Sequence, residues 1–339
     1  MTREGNATHM SQSDRSGPSS PQTDVLVAEG LQKAYGPRQA LRGLSFTLQA
    51  GRLLGFLGPN GAGKTTSIRI LTTIMEPDAG EFEVDGISHE YPERIRRKIG
   101  VLPESFGLPK QMTGIEYLTY FGQLYGRSAR DARTYGLQLL EEVGLAHRGR
   151  SLVGTYSHGM RQRIGIARAL VNDPSVVFLD EPTLGLDPRG QQELQQLVKR
   201  IARERNAGVI LCSHMLPEVE SVCDDVVILS SGEVVARGPV GDVTGKAERN
   251  VIRVRVPVPA VADAQRELEA LQPVRRVVAG SGQPGWLRVE VEEAGGQGDP
   301  LNNRLLDALI RAGIPILGFE PQSGRLQDVF LDLTTKALK

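Results

Sequence analysis

Leu53-Leu54-Gly55-Phe56-Leu57-Gly58-Pro59-Asn60-Gly61-Ala62-Gly63-Lys64-Thr65-Thr66 is the stretch on which the fold turns. Its first five residues form an apolar run of strand length, and beyond Thr66 the apolar positions Ile68, Leu71 and Ile74 fall at helical spacing. A Gly-rich turn between a strand and a helix, closed by Lys-Thr, is a P-loop in the context that motif requires. Gly58, Gly61 and Gly63 let the backbone wrap closely around a triphosphate, and the free N–H groups of the helix start point at its oxygens. The helix dipole adds a preference for an anion of about 0.3–2 kcal/mol. Lys64 brings a positive charge to the β- and γ-phosphates, and the Thr65 hydroxyl is a candidate ligand for Mg²⁺. Pro59, Asn60, Ala62 and Thr66 complete the run assigned to nucleotide contact.

A second chemical element lies further along, at Val176-Val177-Phe178-Leu179-Asp180-Glu181, an apolar strand that ends in two carboxylates. Mg²⁺ takes oxygen ligands in octahedral geometry and draws only one or two carboxylates from the protein when phosphate oxygens are present. Asp180 suits that place. Glu181, one residue beyond, is the candidate to orient a water toward the γ-phosphate and accept its proton. Acidic strand ends are common in isolation, but beside a P-loop this one points to nucleotide hydrolysis.

The 339-residue chain carries 40 basic and 40 acidic side chains, a formal charge of zero that argues against nucleic acid as a partner. The cluster Arg94, Arg96, Arg97 and Lys98 accordingly reads as a solvated helix face. Glycine is plentiful, at 39 residues, and aromatics make up only 5%, a balance that favours an α/β enzyme over a disulfide scaffold. Cys212 and Cys223 read as reduced, buried thiols. Apolar runs are strand-sized throughout, so no segment is expected to span a membrane.

Along the chain, residues 1–24 are polar and rich in Ser, Gln, Pro and Thr, which predicts a disordered tail. An antiparallel β layer is expected before the P-loop. Apolar runs then alternate with helical patterns such as Leu194, Leu197, Val198 and Ile201, which implies a mostly parallel sheet covered on both faces. Residues 105–170 read as a helical lobe within a domain spanning 25–239, and 240–250 as a linker. Residues 251–339 read as a small α+β domain of order β-α-β-β-α-β, ferredoxin-like, with its last strand at 314–319.

With these pieces in order, residues 25–238 resemble the ATP-binding subunit of an ABC transporter. Tyr156-Ser157-His158-Gly159-Met160-Arg161-Gln162 occupies that family's signature position, Leu184-Gly185-Leu186-Asp187 its D-loop, His214 its switch histidine and Tyr35 its A-loop aromatic. The resemblance implies a P-loop NTPase fold of the ABC type, with ATP and Mg²⁺ as cofactors. It implies that two such domains, in a homodimer, meet head to tail, so that Ser157 and Gly159 of one close over the γ-phosphate held by the other. It further implies that Tyr35 stacks on adenine, that His214 bonds the γ-phosphate, and that Asp187 communicates across the dimer.

Two positions depart from the commonest family pattern. Glu104 stands where Gln is usual; it can approach Mg²⁺ or the attacking water as an acceptor but cannot donate an amide proton while ionised. His158 places a side chain where the signature has its first glycine. With Met160, these variants resemble the branch paired with ABC-2-type exporters, such as daunorubicin and multidrug resistance ATPases. That branch implies a separate integral membrane permease, a peripheral location on the cytoplasmic side of the membrane, and export of a drug-like cargo. The alternative, a soluble ABC ATPase acting on nucleic acid or the ribosome, is opposed by the neutral charge and the single ATPase unit; a non-hydrolysing subunit is opposed by Glu181 and His214.

Five of the sixteen aromatics, Phe106, Tyr117, Tyr120, Phe121 and Tyr125, fall within twenty residues. With Leu118 and Leu124 such rings can form the core of the helical lobe; as interface anchors, some of them, Phe106 and Tyr117 being the candidates to test, are expected to line a groove beside Glu104 that receives a helix of the membrane subunit. The ending Gln327-Asp328-Val329-Phe330-Leu331-Asp332-Leu333 resembles the accessory domain that closes drug-resistance-type ATPases, which implies a role in dimer stability or regulation.

Overall fold

A computed structural model describes residues 23–246, 251–272, 274–279, 284–291, 301–322 and 326–336. Residues 1–22 of the tail expected at 1–24, and the end of the expected linker, 247–250, lie outside the described residues; Asp24, expected in the tail, instead opens β1 by pairing with Gln49. The chain opens with the long hairpin β1 (Asp24–Tyr35) and β2 (Arg38–Gln49), then β3 (Leu53–Leu57) and α1 (Lys64–Leu71). Next come β4 (Ala79–Val84), β5 (Ile87–Ser88), the short α2 (Pro92–Arg96) and β6 (Ile99–Leu102). Helices α3 (Gly114–Leu124), α4 (Ala129–Glu142) and α5 (His158–Ala169) precede β7 (Val176–Asp180), α6 (Pro188–Arg205), β8 (Gly208–Cys212) and α7 (Leu216–Val222). The hairpin β9 (Asp225–Ser230) and β10 (Glu233–Pro239) leads into α8 (Val240–Lys246). Beyond it lie β11 (Val251–Arg255), α9 (Val261–Glu269), β12 (Val274–Ala279), β13 (Trp286–Val291), α10 (Leu301–Arg311), β14 (Gly318–Gln322) and α11 (Leu326–Lys336).

Three sheets result. An antiparallel layer has order β2-β1-β4-β5, and a six-stranded sheet has order β10-β9-β3-β8-β7-β6, parallel except for its β9–β10 edge. The parallel strands alternate side chains between two cores, as a period of two dictates. Leu53, Leu57, Val177, Leu179, Val209 and Leu211 face the cluster shared with α3 to α7, whereas Leu54, Phe56, Val176, Phe178, Ile210 and Cys212 face the antiparallel layer and α1. Burial on both faces explains why these strands read as unbroken apolar runs. At Gly100 a Cβ would stand 2.0 Å from the Ala169 carbonyl, so only glycine lets α5 pack against β6.

Local chemistry sets the helix starts. Thr113 and Glu116 form a reciprocal capping box on α3, and Ser128, Ser157 and Asp187 cap α4, α5 and α6 through their side-chain oxygens. The third sheet, of order β12-β13-β11-β14 with α9 and α10 over a core of its own, has the ferredoxin-like topology. Its last strand is Gly318–Gln322 rather than 314–319: Ile314 is buried in the core, but pairing with β11 begins only where Gly318 meets Arg255. The segment expected as linker begins as a helix, α8, whose Val243 is buried in the main cluster. α11 returns to that same cluster through Leu326 and Val329 and packs on α7 and α8.

The helical lobe is tied to α6 by Arg205. Its guanidinium grips the Glu142 carboxylate at 2.6 and 2.8 Å and also donates to the Tyr135 hydroxyl and Asp173. Both partners of the fork are largely buried, and the Glu142 contact holds the Arg205 pKa above its ordinary value. Removing one partner of such a pair strands the other charge. Arg205→Ala is therefore expected to lower stability by about 3–5 kcal/mol in urea unfolding, and Arg205→Lys to recover only part of this because an ammonium lacks the fork.

Candidate nucleotide site

The site is built at the carboxyl ends of neighbouring parallel strands. In the order β3-β8-β7-β6, the P-loop follows β3, His214 follows β8, Asp180 and Glu181 end β7, and Glu104 follows β6. This is where open α/β sheets gather ligand-binding loops. A cavity of about 620 Å³ lies there, lined by Tyr35, Asn60, Gly61, Gly63, Lys64, Thr65, Thr66, Glu104, Asp180, Glu181 and His214. A larger cleft, of about 840 Å³, opens between the antiparallel layer and the β9–β10 edge around the Arg52–Asp225 ion pair, and holds none of these residues.

Gly63 begins α1 in the left-handed region, φ +112°, and a Cβ there would lie 2.7 Å from the Ala40 carbonyl oxygen. No side chain caps this helix start. The first N–H groups of an α-helix lack intrahelical acceptors and suit an anion. Lys64 Nζ folds back to donate to the carbonyls of Gly58 and Pro59, which holds the ammonium over the loop. Tyr35, 44% exposed, leans on the far wall with its hydroxyl 3.2 Å from Met75 Sδ.

Opposite the loop, Glu181 is held in the left-handed region at φ +49° and donates its N–H to the Cys212 carbonyl. Its carboxylate accepts the backbone N–H of His214 at 3.0 Å, and its other oxygen lies 2.8 Å from His214 Nδ1. An ionised carboxylate can only accept, so Nδ1 carries a proton in this pair. Burial, reinforced by Glu104 and Glu181 and opposed by Lys64, raises the Asp180 carboxyl to about 6. Burial also pushes the Cys212 thiol, at the end of β8, well above its ordinary range.

Hard oxygen donors are among the residues that line this cavity: Thr65 with its hydroxyl, and Asp180 and Glu104 with their carboxylates. The unneutralised charge felt by Asp180 is what a divalent cation offsets, so the residues fit Mg²⁺. Among the described residues no group of three or more His, Cys, Asp or Glu could hold a metal alone. Mg²⁺ needs only one or two protein carboxylates when phosphate and water supply the rest.

Six residues expected at the nucleotide do not line this cavity: Gly58, Pro59 and Ala62 of the P-loop, of which Ala62 is buried and the carbonyls of Gly58 and Pro59 accept from Lys64, and Ser157, Gly159 and Asp187. Ser157 and Asp187 are exposed helix caps, accepting from Met160 and Gly190, and Gly159 lies near Leu186. His158 donates from Nε2 to the Leu184 carbonyl at 2.7 Å, and Leu184 does line the cavity. Arg38, Ala40 and Leu184 are lining residues that sequence reasoning missed. Arg38 is brought over Gly61 by the β1–β2 turn, a long-range contact whose only sequence signal is its place three residues after Tyr35.

Tyr117 follows the lobe-core reading and not the groove reading. It is 2% exposed and stacks edge-on with Phe121 in the lobe core, so it cannot line an open groove. Phe106 is half-buried under the Arg168 guanidinium, and the exposed large side chains of α3 and its end are Tyr120, Leu124 and Tyr125.

Fold and site together define a P-loop nucleotide-hydrolysing protein. The family model described as ABC transporter matches residues 41–184. The linearmycin resistance ATP-binding protein LnrL of Bacillus subtilis (strain 168) is 31% identical over 316 residues, 93% of this chain and 100% of the relative. The daunorubicin/doxorubicin resistance ATP-binding protein DrrA of Streptomyces peucetius is 34% identical over 316 residues, 92% of this chain and 93% of the relative. A bacterial ABC transporter cassette solved as a dimer superposes with a TM-score of 0.57 at 26% identity, over 63% of this chain and 98% of that one, and is also known in a post-hydrolysis state bound to ADP and Pi. The chain belongs to the ABC transporter family as an ATP-binding protein, and it is an ATPase.

The raised Asp180 pKa fixes a sign. Between its ordinary value of 3.8 and about 6 the folded state binds more protons than the unfolded chain, so the nucleotide-free protein loses stability as pH rises through that window. Asp180→Asn is expected to stabilise the nucleotide-free protein at pH 7 by ~1–3 kcal/mol, a gain that shrinks as pH falls from 6 towards 4 in urea unfolding.

Proposed function

We propose that this ATPase drives export through a separate ABC-2-type membrane permease, with a drug-like cargo. The hydrolytic reading is carried by one observation, the Glu181 carboxylate held by the His214 backbone and ring across the cavity from Lys64. In this reading the P-loop N–H groups and Lys64 bind the β- and γ-phosphates, and Arg38 adds a second positive charge at the loop. Thr65 and Asp180 would hold Mg²⁺, with Glu104 nearby; bound there, the ion would offset phosphate charge. Glu181 orients the water and takes its proton, while His214, protonated at Nε2 as well as Nδ1, would donate to the γ-phosphate.

The same reading assigns Ser157 and Gly159 to a second copy. They sit at the start of α5, outside their own cavity, and a helix start suits an anion presented from outside. Head-to-tail pairing would place them on the partner's γ-phosphate, and the likeness to a dimeric cassette supports that arrangement. Asp187, capping α6 beside them, would lie along the same seam. Loss of the γ-phosphate would remove the bridge, a ligand-biased two-state element.

A drug-like cargo is supported by the names of both relatives, whose match runs through the C-terminal sheet as well as the ATPase core. Among the described residues no helix is long and apolar enough to cross a membrane, so passage through lipid falls to another chain. Tyr120, Leu124 and Tyr125 on the helical lobe offer the exposed apolar contact for that permease, which would hold the ATPase at the cytoplasmic face of the membrane.

Glu181→Gln should bind MgATP with near-normal affinity yet lose about 10²–10⁴ in turnover, since the general base is gone. Lys64→Ala should weaken nucleotide binding itself. Isothermal titration and phosphate release separate the two effects, and a Glu181→Gln protein that still turns over substantially removes Glu181 from its role. Leu124→Glu should leave ATP binding intact and abolish co-purification with the permease from membranes; retention of the permease would move the docking surface elsewhere.

A further inference from the structure

Behind the Glu181–His214 pair lies a buried acid for which hydrolysis as described has no use. Glu218, on α7, is 4% exposed. Its Oε2 accepts two hydroxyl protons, from Thr183 at 2.9 Å and from Ser213 at 2.7 Å. Its Oε1 is buried without a hydrogen-bond partner among the described residues. Thr183 follows Glu181 by two residues, and Ser213 immediately precedes His214. One carboxylate oxygen thus joins the loop leaving β7 to the loop leaving β8. Ser213 Oγ also accepts the Met215 N–H at 3.1 Å, which turns the chain from His214 into α7.

Packing does not account for this residue. An apolar side chain of the same size would fill the space, and a buried carboxylate with one oxygen unpaired is unfavourable by comparison. What the carboxylate supplies is a single acceptor point shared by two donors on different loops. That point fixes the separation of Thr183 from Ser213, and with it the separation of the residues beside them that meet across the cavity at 2.8 and 3.0 Å.

We propose that Glu218 is a positioning residue for hydrolysis, registering the two loops so that Glu181 is held by His214 and aimed at the attacking water. It touches neither nucleotide nor metal and acts only through Glu181 and His214. The proposal rests on those two being the hydrolytic pair.

The test compares side chains of equal length in the full chain. Glu218→Met removes the acceptor; Glu218→Gln keeps a carbonyl oxygen that can receive both hydroxyls. Glu218→Met should lower kcat about tenfold or more while the dissociation constant for MgATP stays within about twofold, the split expected when geometry and not binding is lost. Glu218→Gln should restore most of the rate. Adding Thr183→Val to Glu218→Met should cost little further, because both remove the same link.

A Glu218→Met protein turning over at the unmodified rate, or a Glu218→Gln protein as slow as Glu218→Met, overturns the proposal. Should Glu218→Met fail to fold, the pair Thr183→Val with Ser213→Ala deletes both donors and keeps the acid; the same fall in kcat is expected, and a full rate overturns it. Glu181→Gln is measured alongside. If that variant still hydrolyses ATP, the hydrolytic pair itself is wrong and Glu218 has nothing to position; if it is inactive while Glu218→Met is fast, only the positioning role falls.

Discussion

The rest of the structure depends on negative charge gathered at the ends of β6 and β7, with Asp180 partly withdrawn from water. Asp180 is raised to about 6 by its own burial and by Glu104 and Glu181, with Lys64 opposing. Such a site is least comfortable when empty. A triphosphate alone would add to the repulsion, and a cation alone would lack most of its oxygen ligands, so MgATP entering as a unit relieves what either component would not. The glycines serve the same end: Gly63 yields its side chain so that α1 starts against the Ala40 carbonyl, where its N–H groups face the cavity.

Much of this was legible in sequence because the chemistry is local. The P-loop, Asp180-Glu181 and the strands that carry them are contiguous segments, and the apolar runs of β3, β7 and β8 mark strands buried on both faces. The assignment of alternate side chains to two separate cores was not legible, since nothing polar breaks those runs. In the helical lobe the pattern held more than composition revealed. Tyr117 and Phe121, four residues apart, share the inward stripe of α3, while Tyr120 and Leu124, also four apart, share the outward one. Treating the aromatics as one cluster placed Tyr117 in a groove when its helical position buries it.

The remaining departures have equally specific causes. Residues 314–317 look like a strand because they are apolar, but a strand is defined by its partner, and the register with β11 starts at Gly318, with only the Leu317 N–H reaching the Arg255 carbonyl before it. Val240–Lys246 contains Gly241 and Gly245, poor helix formers that favour a linker reading; burial of Val243 and contact with β9 and β10 outweigh that propensity. Arg38 and Glu218 escaped notice because each acts through residues distant in sequence: Thr183 and Glu218, for example, are 35 apart.

These long-range links explain why the local rules break where they do. Glu181 occupies a left-handed conformation that costs a non-glycine residue on the order of 1–2 kcal/mol, and Glu218 leaves a buried oxygen unpaired at a cost of about 1–3 kcal/mol. Glu181 sits on one of the two loops that meet across the cavity, and Glu218, on α7, bonds to both of them. The strain at Glu181 turns its carboxylate back over the end of β8, where the His214 N–H and ring can hold it; a relaxed backbone would carry the chain straight out of the sheet. The buried acid then keeps the two loops from sliding apart under that strain. Order at the reacting end is thus maintained by groups that never touch the substrate, and the stability given up there is recovered from the doubly buried strands on which the loops are mounted.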